Sequence, residues 1–287
     1  VLSMVSDGMI SLEAGIIITA VFAISYTVLA GMFSVVYTDV VNGVLMTVGI
    51  LGALLFLIFH VGGLGEIAAV AESAGKWQLF GNWAAERTGD ISGPIIAISF
   101  FVPTMLLLMG DGNMYQRIFS ARDGGSAKKA VFFWIIGVIV LESAITMLGL
   151  TGAVAAAKGL IPDLVADAQS ALVNPTEGAL LEARQAGSES VIPAIARFAG
   201  LPIVLGILLV STMMAIIVST ADSFLLIPAT NLTRDVYQRY IHPGADENQV
   251  LLISRGLVLV LGIIAFLLVS QFKTVLNAAF TAYNIYG

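Results

Sequence analysis

The sequence has no cysteine, only two histidines, and few charged residues for its 287 positions. Without cysteine there is no disulfide, no thiolate nucleophile and no thiolate metal site, although the redox compartment stays open. His60 and His242 are 182 positions apart at the edges of apolar runs, with no second histidine beside either, so nothing resembles a histidine metal site. Catalytic motifs are missing too. There is no HExxH and no Ser/His/acid constellation, and Gly110-Asp111-Gly112 lacks the Lys-Ser/Thr pair of a nucleotide loop, so it reads as a helix end. These absences argue against an enzyme. No cleavable signal and no internal period of about 20 to 50 residues is present. The net charge of −6 is spread over the loops and points neither to nucleic acid nor to a polybasic lipid patch.

What the chain does have is apolar sequence. It is 58% hydrophobic and 11% charged, with a mean hydropathy of +0.97, whereas soluble domains carry about 25% charged residues. Composition therefore predicts an all-α polytopic membrane protein. A spanning helix needs roughly 20 apolar residues, and about seven stretches qualify or nearly do: 10–30, 35–60, 91–110, 130–152, 200–227, 249–270 and a truncated one from 274. The chain begins at Val1 without an initiator Met and stops inside the last apolar run, which reads as an internal fragment of one transmembrane domain over 1–287, with helices missing upstream and a part missing downstream.

Lysine and arginine set the orientation. Loop 111–129 carries Arg117, Arg122, Lys128 and Lys129, and segment 228–256 carries Arg234, Arg239 and Arg255. Loops 111–129 and 228–248 are thus expected on the cytoplasmic side of a cell membrane, and Val1 outside. Loops 62–90 and 153–190 hold more acids than bases and belong outside. Segment 153–199, broken at Pro162, Pro175 and Pro193, suggests short helices over the outer face, either a lid or a plain connector. Residues 230–248 are expected to form a short loop.

The stretch that organises the chain is Met213 to Tyr240. Apolar Ala215 to Val218 gives way to Ser219, Thr220, Asp222 and Ser223 before Phe224 to Ile227 restore the hydrophobic run. A carboxylate inside a membrane helix costs roughly 2.5–3.5 kcal/mol on insertion scales, so something must compensate it. Positions 219, 222 and 223 share one helical face, and small hard cations favour such oxygens. Close packing is the alternative, because Ser211, Ala215, Ser219 and Ser223 form a stripe of small residues. Packing explains the serines but not Asp222. Asp39 sits about five residues into its own helix, and loop charges place it and Asp222 at the same cytoplasmic depth. Asp39 is either one more oxygen for a cation or a helix N-terminal charge reaching headgroup water.

Three stretches together resemble the sodium:solute symporter family. VSTADSFLLIPATNLTRDVYQ resembles its signature helix, Tyr37-Thr38-Asp39-Val40-Val41 its aromatic-Thr-Asp-Val motif, and Gly110 to Ala130 its Gln-Arg-aromatic loop. Their order and spacing match across nearly the whole chain. The resemblance implies a fold of two inverted repeats of five helices (LeuT-like), of which the first two helices here end one repeat and the other five form the next. It implies a sodium site from the Ile216 carbonyl with the Ser219 and Thr220 hydroxyls, completed by a helix the chain lacks. Some relatives add a second sodium, on positions matching Asp39, Ser219, 222 and Ser223. Asp222 stands there in place of a hydroxyl and could hold an ion or a proton.

Pro103 frees a carbonyl in mid-membrane, which makes Thr104, Phe101 and Leu108 candidates for a solute wall, with a simple packing kink as the alternative. Glu142 lies mid-helix and either pairs with an absent helix or faces water. The expected function is sodium-coupled symport of a small organic solute by alternating access, with Na+ as the coupling ion. The alternative is the solute-sensing module of a signalling protein. The solute and the oligomeric state are not readable.

Overall fold

The computed structural model describes residues 1–73, 93–110, 112–170, 172, 176–269, 271–272, 274–275, 278–279 and 281–282. Every regular element among them is helical. After a single helical turn at Leu2–Val5 come, in chain order, α1 (Leu12–His60), α2 (Leu64–Ser73), α3 (Gly93–Met109), α4 (Gly112–Phe119), α5 (Gly124–Ala157), α6 (Leu164–Ser170), α7 (Glu177–Glu189), α8 (Val191–Phe198), α9 (Ile203–Asn231), which runs on into a π-helical segment Leu232–Ile241, and α10 (Glu247–Val269). Among the described residues five segments are long and apolar enough to cross a membrane: Leu12–Leu29, Tyr37–His60, Gly124–Ala157, Ile203–Ile241 and Glu247–Val269. Helix α3, with 17 residues, is just shorter than these. Of the expected span from 274, too few residues are described to form one.

The two expected helices at 10–30 and 35–60 are a single helical run, but it is not straight. In a straight helix residues 26 and 38 lie about 18 Å apart along the axis. Here Tyr26 Oη donates to Thr38 Oγ1 at 2.6 Å. A tyrosine cannot reach that far, so the run turns sharply back between them, and 12–29 and 37–60 act as two elements.

By its contacts the chain divides into two compact units, one of residues 1–49 and 203–273, the other of 50–202 and 274–287. In the first unit, the 37–49 part of α1 runs antiparallel to α9. Thr212 Oγ1 donates to the Leu45 carbonyl at 2.9 Å, and seven residues further along α9 Ser219 meets Asp39, six residues back along α1. Glycines permit this closeness. A Cβ on Gly49 would collide with the Thr212 side chain and lie 3.3 Å from the Leu208 carbonyl, and one on Gly262 of α10 would come within 2.8 Å of Ile24.

The face of α9 that packs is Gly206, Leu209, Thr212, Asp222, Ser223 and Ala229, all buried. Ser211, at the head of the small-residue stripe, is exposed. The stripe and the packed face coincide only near Ser219 and Ser223, so close packing does not account for the whole stripe. The expected loop at 230–248 is a correction: the helix continues in wider, π-type turns through Leu232–Ile241, leaving only 242–246 irregular. Thr233, buried, donates to the Ala229 carbonyl at 2.7 Å and satisfies a backbone acceptor where the turns widen.

In the second unit, α5 starts six residues earlier than the apolar run at 130 suggests. The Asp123 carboxylate accepts from Ser126 N at 2.8 Å and Ser126 Oγ at 3.0 Å, an N-cap that fixes the start. These hydrogen bonds, the backbone one first, hold the Asp123 carboxyl below its ordinary range. Segment 153–199 contains α6, α7 and α8. Pro193 does not break α8 but sits in its first turn, where a missing N–H goes unnoticed. Lys158, after the end of α5, donates to the Val61 carbonyl at 2.7 Å and to Glu66 at 2.8 Å, tying α5 to the end of α1 and to α2.

Candidate cation-binding site

Thr38 and Asp39 are half-buried while their neighbours Tyr37, Val40 and Val41 are 76%, 64% and 59% exposed. The motif thus turns its two polar side chains inward and its apolar ones outward. Tyr26 holds Thr38 from behind. In front, Ser219 Oγ donates to Asp39 Oδ1 at 2.5 Å, and Oδ2 of the same carboxylate is buried.

One turn further along α9, Asp222 is 1% exposed, and its Oδ1 meets Thr27 Oγ1 from the 12–29 segment. Thr27 also faces the Ala23 carbonyl at 2.8 Å. A threonine hydroxyl carries one hydrogen, so both contacts are hydrogen bonds only when Asp222 itself carries a proton; a cation on the carboxylate would free Thr27 to serve the carbonyl alone. Ser223, buried, donates to the Ser219 carbonyl at 2.9 Å. The structure therefore brings Asp39, Ser219, Asp222 and Ser223 into one oxygen-rich cluster and adds Thr27 to it.

Thr27 is the member that sequence reasoning missed. A lone threonine in a membrane helix ordinarily bonds the carbonyl four residues back, so its sequence gives no sign of a second partner. Neither 12–49 nor 203–231 contains a lysine or arginine, and the single basic residue of α10, Arg255, is exposed. Two carboxylates, one buried and one half-buried, thus share a cluster with no lysine or arginine in the segments that build it. Burying such charge uncompensated is costly. Hard oxygen donors without nitrogen or sulfur suit sodium or a proton and not a transition metal.

The other sequence-derived residues lie elsewhere. Thr220 is exposed, about 100° round α9 from Ser219, and takes no part in the cluster's hydrogen bonds; Ile216, one turn before it, is half-buried. Phe101 is 65% exposed on α3, whose helix continues through Pro103, and the side chains of Thr104 and Leu108 lie outside the described residues. Glu142 is exposed on α5.

The Sodium:solute symporter family matches over residues 8–283. The high affinity choline transporter 1 of Homo sapiens is 24% identical over 273 residues, covering 93% of this chain and 42% of that protein. The sodium/pantothenate symporter of Escherichia coli is 26% identical over 261 residues (91% and 47%). The osmoregulated proline transporter OpuE of Bacillus subtilis is 25% identical over 261 residues (89% and 46%). The chain spans less than half the length of these relatives. They are transporters rather than enzymes, and a match running almost from end to end, joined to several apolar membrane-length helices, places the chain in the sodium:solute symporter family.

Proposed function

We propose that the chain is part of a sodium-coupled symporter that moves a small organic solute across the cytoplasmic membrane by alternating access. The observation that carries this reading is the meeting of Asp39, Ser219, Asp222 and Thr27, an oxygen cluster with no lysine or arginine in the segments 12–49 and 203–231 that build it. In this reading residues 1–287 belong to one transmembrane domain of the five-plus-five inverted-repeat fold, with loop 111–129 and segment 228–248 on the cytoplasmic side. Sodium is the coupling ion. Ile216, Ser219 and Thr220 form one site with a helix outside this sequence, which agrees with the exposure of Thr220. Asp39, Ser219, Asp222 and Ser223 form a second, where Asp222 takes an ion or a proton. Phe101, Thr104 and Leu108 of α3 contribute to the solute wall.

The mechanism is linkage. A cation shared between α9 and a neighbouring helix stabilises the arrangement in which both supply ligands, and its departure to the low-sodium side lets them separate. The reading is tested by reconstituting the full-length protein in liposomes and screening solutes with and without an inward sodium gradient. Uptake of some solute that collapses when sodium is replaced by N-methyl-D-glucamine supports it. Solute binding with no sodium-dependent accumulation favours a sensing module instead.

A further inference from the structure

Helix α4 lies against the start of α5, and between them is a hollow of about 300 Å³ lined by Met114, Arg117, Ile118, Ala127, Val131 and Trp134. Arg117 is the one charged residue of its lining, and Lys128 and Lys129 are exposed on the α5 turn beside Ala127. The rest of the lining is apolar, and Trp134, seven residues past Ala127, lies about 10 Å further along the α5 axis. Gly124–Ala157 is long and apolar enough to cross a membrane, and with its start on the cytoplasmic side, as proposed above, that direction runs from the headgroup level into the acyl region. Asp123, between Arg122 and the start of α5, is engaged in capping that helix. The chain's net charge of −6 conceals this local excess: loop 111–129 holds Arg117, Arg122, Lys128 and Lys129 against Asp111 and Asp123.

We propose that this hollow is a binding site for an anionic phospholipid, its phosphate held by Arg117 with Lys128 and Lys129, and an acyl chain lying along Ile118, Val131 and Trp134. Charge complementarity selects the occupant. A basic rim at the membrane surface attracts acidic headgroups, tryptophan favours the interface, and a free anion would leave the apolar part of the hollow facing water. The inference rests on the proposed cytoplasmic placement of loop 111–129 but not on sodium coupling.

The test uses the full-length protein in detergent, titrated with phosphatidylglycerol, with phosphatidylcholine, and with phosphatidylglycerol plus inorganic phosphate, and bound lipid is counted by native mass spectrometry. Phosphatidylglycerol is expected to be retained about tenfold more tightly than phosphatidylcholine. Arg117→Gln should abolish most of that preference, and Ala127→Trp, which fills the hollow while keeping every charge, should expel the lipid. Arg117→Lys should keep most binding, which separates lost charge from misfolding. Equal retention of the two lipids, full retention in Ala127→Trp, or displacement of the lipid by millimolar phosphate each overturns the proposal. Transport assays do not enter, so failure here and failure of the symport reading are distinguishable. Cysteines placed at 128 and labelled only from outside would overturn the orientation on its own.

Discussion

Ser219 Oγ donates a 2.5 Å hydrogen bond to Asp39 Oδ1 across 180 positions of sequence, joining the signature helix to the aromatic-Thr-Asp motif. The hydroxyl is thereby already aimed at the carboxylate with which it would share a cation. Replacing Ser219 or Thr220 by alanine in the full-length protein is expected to raise the sodium concentration for half-maximal uptake about tenfold, which corresponds to about 1.4 kcal/mol. Sodium-activation curves measure it. An unchanged curve for both variants would count against either residue as a ligand.

Thr27 and Asp222 make a separable prediction. Thr27→Val leaves a buried carboxyl short of a hydrogen-bond partner, at a cost of about 1–3 kcal/mol. Asp222→Asn, which removes the ionisable group, should make a following Thr27→Val cost less. A double-mutant cycle of thermal unfolding reads the coupling. Strict additivity of the two substitutions would show that the contact carries no energy.

The meeting of Asp39 with Ser219 was legible because loop charges place both helix segments with their polar ends at one membrane face, and the period of α9 puts 219, 222 and 223 together. Thr27 was not legible, since nothing in its sequence distinguishes a second partner from ordinary bonding to the preceding turn. The reversal between Tyr26 and Thr38 was expected as a break between two helices. The chain instead stays helical while bending, something apolar periodicity cannot report. The helix beyond Asn231 has the polar composition of a loop, and the Thr233 hydroxyl satisfies the Ala229 carbonyl where its turns widen. The start of α5 lay in view as Asp123-x-x-Ser126, but hydrophobicity alone hid it.

Glycine positions give a test of the packing in the first unit. Gly49→Ala drives a methyl into Thr212, an overpacking expected to cost about 1–3 kcal/mol. Gly43→Ala, where nothing lies within 4 Å, should be neutral or stabilising by up to about 1 kcal/mol through helix propensity. Melting temperatures in matched detergent compare them. Equal effects at the two positions would contradict the antiparallel contact of 37–49 with α9.

Outside the membrane spans, the Lys158 ammonium holds the Glu66 carboxyl below its ordinary value, by hydrogen bond first and by charge second. A carboxyl depressed on folding stabilises above its unfolded pKa, about 4.3, and that contribution fades as pH falls through the lower folded value. The Glu66→Gln variant should therefore melt below the wild type at pH 7. The gap should narrow as the pH is taken below about 4.3. A gap that stays constant across that range would mean the ion pair contributes nothing.

The most direct measurement is equilibrium binding of radiolabelled sodium to the purified full-length protein, in wild type and in Asp39→Asn and Asp222→Asn. Saturable binding that weakens about tenfold or more in Asp39→Asn is expected, since the carboxylate supplies the charge-assisted ligand. Asp222→Asn should either weaken sodium binding likewise or remove its dependence on pH. Wild-type sodium affinity and unaltered pH dependence in both variants would contradict a cation site at the meeting of these helices.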